Sequence, residues 1–261
     1  VTTLHGTDIT LVGNHPFYKP AVTFSINNSD VITCVSESLK QDTLRHFEVT
    51  KDIDVVHNFI DTNVSEKVFT DCQRDLMAEA DEKIITHISN LRPVKRLNDV
   101  VSVFYKIQQS IKAKLIIVGE GPEREAAEQL IKEYDIANNV IFVGQSNEID
   151  KILCFSDLFL LPSEAESFGL AALEAMVDGV PVISSNAGGL PEVNIHGESG
   201  FLSDVGDIDD MAANALKIFK DEKTLKEFKE RAKKVAKSFD INTIVPKYEC
   251  LYQKAIDNIF A

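Results

Sequence analysis

The chain has 261 residues, a formal net charge of −14, 44% hydrophobic and 26% charged residues. That length holds one large domain or two modest ones with an ample core. The acidic balance speaks against a nucleic-acid partner, whose phosphates demand a basic surface. No apolar run approaches the length that spans a bilayer and no signal peptide opens the sequence. Stable membrane insertion is therefore not expected, and the expected location is cytoplasmic. Cys34, Cys72, Cys154 and Cys250 lie scattered without metal-ligand spacing and read as reduced, mostly structural thiols.

In chain order, Val1 to Leu4 reads as a strand and His5-Gly6-Thr7-Asp8 as the turn that leaves it. A helix is expected around Lys19 to Asn27 and a strand from Asp30 to Val35. A helix start follows at Ser36-Glu37-Ser38-Leu39, with Ser36 as its cap, and then a short strand at Asp54-Val55-Val56. These strands are too few for a complete sheet, so residues 1–60 are expected to be part of a first domain. Thr62 to Glu82 is polar and partly helical, as in a linker.

From Lys83 a regular alternation begins. Strands are predicted at Ile84–Ile88, Leu115–Val118, Val140–Val143, Leu158–Leu161 and Val182–Ser184. Amphipathic helices separate them, one with Val100, Phe104, Ile107 and Ile111 on a single face. Such alternation predicts right-handed crossovers and a doubly wound parallel sheet, an α/β class. Three amphipathic helices close the chain, the last over residues 243–260.

The most informative stretch runs from Pro162 to Glu192. It follows the buried strand Leu158–Leu161. Ser167 stands where a helix cap is expected, Gly169 would let a phosphate approach the main chain, and Gly179 ends the helix. A strand end, a short loop and an open helix start form an anion site. Glu166 and Glu174 flank it, as suits a ligand with hydroxyls on both sides of its phosphates. Each glutamate alone would be explained by the helix dipole.

Upstream, Ser89-Asn90-Leu91-Arg92-Pro93-Val94-Lys95-Arg96 puts three cations beyond a strand end, where they can neutralise a diphosphate. Val118-Gly119-Glu120-Gly121-Pro122 lacks the third glycine of a dinucleotide fingerprint and reads first as a tight turn. Asp207-Ile208-Asp209 spells a metal motif but starts an amphipathic helix, where acids favour the dipole, so no metal is expected.

Glu-Ser-Phe-Gly, the seven residues between Glu166 and Glu174, Gly-Val-Pro-Val-Ile and Gly-Gly-Leu-Pro-Glu together resemble the glutamate pair of retaining glycosyltransferases of family 4. The resemblance implies the two-domain GT-B fold. Residues 61–261 would form a complete carboxyl-terminal Rossmann-like domain that binds the nucleotide sugar. Residues 1–60 would be part of an amino-terminal Rossmann-like domain whose start is missing, and residues 243–260 would cross back onto it. A chain lacking that start is expected to be weak or inactive alone.

The resemblance further implies Lys95, Asn90, Arg92, Gly119, Phe168, Gly169, Leu170 and Glu174 as donor contacts, Glu174 holding the ribose. His5, Lys95 and Glu166 would be catalytic. Asn90 stands where the family usually has Arg, which leaves Arg92 to supply the guanidinium or to serve the acceptor. The leaving phosphate is thought to take the acceptor proton in this class, so no protein base and no cofactor is expected. Thr3 to Thr10, Val35 to Leu39, His57 to Asp61, Ser89 to Arg96 and the Glu166 segment narrow the resemblance to the branch that joins UDP-N-acetylglucosamine to L-malate, the first step of bacillithiol synthesis. The implied partners are thus a UDP-sugar donor and a small anionic acceptor, with room left for a homo-oligomer. Two alternatives stay open, a family member with a sugar or lipid acceptor and a non-catalytic nucleotide-sugar binder.

Overall fold

The computed structural model describes residues 1–10, 13, 15–62, 72 and 74–259. In the first region short apolar strands alternate with helices: β1 (Thr2–Leu4), α1 (Thr7–Thr10), α2 (Lys19–Asn27), β2 (Ile32–Cys34), α3 (Glu37–His46) and β3 (Ile53–Val55). The strands form a parallel sheet in the order β1-β2-β3, with Thr3 opposite Thr33 and Thr33 opposite Asp54. Ser36 caps α3 by accepting from Leu39 N, as its residue type predicts.

The second region continues with β4 (Lys83–Ile88), α4 (Leu97–Gln108), β5 (Ala113–Val118), α5 (Arg124–Glu133), β6 (Val140–Gly144) and α6 (Ile149–Leu153). Then come β7 (Leu158–Leu161), α7 (Leu170–Val177), β8 (Val182–Ser185), α8 (Leu190–Val193) and β9 (Gly200–Ser203). Three helices follow, α9 (Ile208–Ile218), α10 (Glu222–Ala236) and α11 (Ile241–Ile259). Among the described residues the sheet is parallel with order β6-β5-β4-β7-β8-β9. All five predicted strands are present, and β9 is added at the edge. Of the stretch from Thr62 to Glu82 read as a partly helical linker, residues 63–71 and 73 lie outside the described residues, and Arg74–Leu76 forms a 3-10 turn.

Alternation along the strands divides the core. Ile85, Leu115, Ile117, Leu158, Leu160 and Ile183 face one side with α4 and α9. Phe159, Leu161 and Val182 face the other, against α7 and α10. That second layer is continuous with the first sheet, because Leu4, Ile32, Val35 and Leu39 belong to the same cluster as Phe168, Leu190 and Phe239. The start of α11 strengthens the join. Ile60 bridges to Asp240, and Tyr248 donates to the carbonyl of Val56 at 3.1 Å.

One expectation is corrected. Cys72 and Cys154 are joined as a disulfide, their Cα atoms 6.1 Å apart. They are 82 residues apart in sequence, a separation from which no pairing can be read. Cys34 is a buried thiol whose pKa burial pushes up to about 11, so it stays protonated. No helix among the described residues is long and apolar enough to cross a membrane.

Candidate active site

The strand order reverses between β4 and β7, the point of an open parallel sheet where ligands are bound. The loops that leave these two strands meet there. Lys95, after β4, places Nζ 2.5 Å from Oε1 of Glu166, after β7, with only 19% and 15% of the two side chains exposed. Ser163 Oγ donates to the same carboxylate oxygen at 3.1 Å, and Glu164 N donates to Val94 O at 2.8 Å. Around the pair lies a cavity of about 540 Å³ lined by Asn90, Arg92, Lys95, Glu166 and Ser167, with Gly6, Thr7 and Ser38 of the first region. Three sequence-derived donor residues and one carboxylate are thus brought to one cleft. Arg96 is turned aside into a pair with Asp99 at 2.6 Å.

The β4 loop is set from beneath by a residue the sequence reading passed over. His87 is fully buried, with Nδ1 2.8 Å from Leu160 O and Nε2 2.8 Å from Ser89 Oγ. Burial pushes its pKa down to about 4, so the ring is neutral near pH 7. A carbonyl only accepts, so Nδ1 donates to Leu160 and Nε2 accepts from Ser89. A histidine inside an otherwise apolar strand run was the available signal. Gly119 supports the same loop from the side. Its φ is +122°, and a Cβ there would stand 1.8 Å from Ser89 O. Gly119 therefore braces the loop, and it does not line the cavity that holds Lys95.

The start of α7 departs from the sequence expectation. Ser167 is not its cap; Gly169 occupies that position, with φ +102° and no side-chain hydrogen bond to the helix. The Ser167 carbonyl accepts from Ser36 Oγ at 2.6 Å, and its side chain lies against Gly6, so both face the first region. The first amides of α7 are left without a side-chain partner, an arrangement that favours an anion. Phe168 is buried between His57 and Phe239, so only its main chain can face a ligand. Leu170 is partly exposed.

Two smaller cavities continue along the same helix. His5 lies with Leu170, Asn58, Phe59, Tyr248 and Tyr252 around about 420 Å³, not in the cleft of Lys95 and Glu166. Glu174, one turn further, lines a cavity of about 180 Å³ with Asp61, Asp150 and Asp178. Burial, and then the charge of Asp150, pushes the Glu174 carboxyl above its ordinary range. The same causes push Asp178 up to about 7 against the pull of Lys233. Carboxylates crowded in this way suit ligand hydroxyls, which donate to them. Asp207, for its part, caps α9 by accepting from Asp210 N at 2.9 Å.

Comparison with known proteins agrees with this architecture. Residues 70–235 match the family of glycosyl transferases group 1, and residues 1–64 match Glycosyltransferase Family 4. The chain belongs to the group 1 glycosyl transferases. It is 44% identical over 97% of its length to the N-acetyl-alpha-D-glucosaminyl L-malate synthase of Bacillus anthracis, and it spans 67% of that protein. It is 31% identical, over 66% of its length, to the 2-deoxystreptamine N-acetyl-D-glucosaminyltransferase of Niallia circulans, of which it spans 45%. Among solved structures, Anabaena HepE in complex with UDP and glucose superposes with a TM-score of 0.87 at 22% identity, over 97% of this chain and 70% of that one. This likeness shows the shared GT-B fold.

For a group 1 glycosyl transferase the geometry has a clear chemical capacity. A lysine, a nearby guanidinium and the positive end of α7 surround the switch point, where they can stabilise charge that grows on a leaving phosphate. Lys95 is shared between that task and Glu166, so an entering anion competes with a half-buried carboxylate for the same ammonium.

Proposed function

We propose that this glycosyl transferase moves N-acetylglucosamine from UDP-N-acetylglucosamine to L-malate with retention at the anomeric carbon. The observation that carries the reading is the 44% identity, sustained over 97% of the chain, to a malate synthase of that name. In this reading Lys95, with Arg92 and the α7 start, meets the diphosphate. Glu166 and His5 address the sugar, and Glu174 the ribose. Asn90 lines the Lys95 cleft beside Arg92, which supports Arg92 as the second cation there. No metal is assigned a part, so a chelator should leave the rate unchanged.

The test is UDP release by the full-length protein with L-malate, with a sugar acceptor and with neither, followed by product analysis by NMR. Malate-dependent release of an α-linked product is expected. Release driven by a sugar acceptor alone would point to another member of the family, and UDP binding without turnover would point to a non-catalytic binder. Lys95→Ala should lower turnover more than donor affinity, because diphosphate charge grows as the glycosidic bond breaks. A rise confined to the donor KM would make Lys95 a ground-state contact only.

A further inference from the structure

Glu192, in the first turn of α8, has no part in the site as described, yet its carboxylate is fully engaged. Oε1 accepts from Ser38 N at 2.9 Å. Oε2 accepts from Glu37 N at 2.9 Å and lies 3.1 Å from His57 Nε2. A side chain of the second region therefore occupies the positive end of a helix of the first, where a carboxylate is favoured. Burial alone would push its carboxyl up. The bonds from His57, Ser38 and Glu37 more than reverse this and hold it below the ordinary carboxylate range.

The same groups grip the loop between Glu166 and Gly169 from two sides. From the α8 side, Gly189 N donates to Glu166 O at 2.8 Å. Gly188 lies so close that a Cβ would stand 2.0 Å from that carbonyl. From the first region, the His57 ring packs 5.7 Å from the Phe168 ring, and Ser36 Oγ holds Ser167 O. Both grips end on Glu192, the first through its own short helix and the second through His57 and the capped start of α3. A carboxylate serving only as a helix cap would need neither His57 nor a place three residues beyond the glycine pair.

We propose that Glu192 is a positioning residue that ties the two regions together and holds the α7 start in the geometry that receives the donor's diphosphate. The inference rests on the reading of that helix start as the diphosphate site. Loosening Glu192 releases the loop from both sides. It should cost affinity for the phosphates while leaving the nucleoside end, beside Glu174, untouched.

The experiment compares the 261-residue chain with its Glu192→Gln variant, which keeps the side-chain shape but leaves one oxygen to serve three donors. Binding of UDP and of uridine is measured by titration, and amide exchange of Glu37, Ser38 and Gly189 by NMR. The expected result is faster exchange at all three amides and UDP affinity lowered about ten-fold, with uridine affinity unchanged. Faster exchange at Glu37 and Ser38 alone, with UDP affinity intact, would reduce Glu192 to a helix cap and overturn the proposal. Equal loss of UDP and uridine would do the same. If the parent chain binds no UDP, the diphosphate reading itself fails, while the Gly189 amide still decides whether Glu192 holds the loop. Should Glu192→Gln not fold, His57→Gln breaks the second grip alone and is expected to show the same split between UDP and uridine; no split overturns the proposal.

Discussion

Both sheets are parallel and both alternate with helices, but they are covered differently. Strands β4, β5, β7 and β8 are enclosed by helices of their own region, α4 and α9 on one side and α6, α7 and α10 on the other. The three strands of the first sheet are each three residues long, and their apolar cluster runs without a break into Phe168, Leu190 and Phe239 of the second region. One sheet is self-sufficient in cover; the other completes its core with borrowed side chains. The donor loop lies on the seam between them, so the order of the loop and the attachment of the first region are one physical problem.

Phe239→Ala offers the strongest way to break this comparison. Its ring stands edge-on to both His57 and Phe168, at centroid distances of 5.5 and 5.6 Å. Deleting a buried aromatic costs roughly 3–5 kcal/mol. Hydrogen exchange should rise in β1–β3 well before it rises in β4–β8. A uniform rise across both sheets would show that the seam unites them into one cooperative unit.

A smaller effect is expected at the nucleotide end. Glu174→Ala should weaken UDP binding by roughly 1.5–3 kcal/mol, the worth of a hydrogen bond to a charged group, with both sheets intact. Unchanged affinity in titration calorimetry would remove Glu174 from the site.

A further effect concerns pH. Asp178 has its pKa raised from 3.8 to about 7, so the folded chain keeps a proton that the unfolded chain has released between those values. Stability is therefore lost as pH rises from about 4 to about 7 and levels off above. Asp178→Asn should raise Tm relative to the parent by a margin that grows across that window. A constant margin would show that Asp178 does not titrate there.

What the sequence disclosed follows from how local each signal is. Runs such as Leu158–Leu161 are apolar because both faces are covered, and they read directly as strands. The edge strand β9 was hidden because it opens on Gly200, where a Cβ would stand 1.8 Å from Val182 O; packing chose a residue that carries no strand signal. The cap of α7 lies two residues beyond Ser167, whose side chain lies against Gly6 and whose carbonyl is held by Ser36, 131 positions away. Glu166 in the loop before α7 and Glu174 within it were legible from their interval, and so was the cationic loop that bears Lys95. The pairing of Lys95 with Glu166, the buried His87 and the engagement of Glu192 were not, because each depends on partners that only the tertiary fold brings within reach.

The borrowed cover also sets a timetable for synthesis. Leu4 and Ile32 leave the ribosome more than two hundred residues before the ring of Phe239 that closes their cluster. At 5–20 residues per second that interval is roughly 10–50 s. Throughout it the cluster lacks the Phe239 ring, while β4, β5, β7 and β8 can already assemble. Nascent chains stalled before residue 239 should therefore protect residues 1–60 less than the finished chain does, and protection should rise when α11 emerges and Tyr248 reaches the Val56 carbonyl.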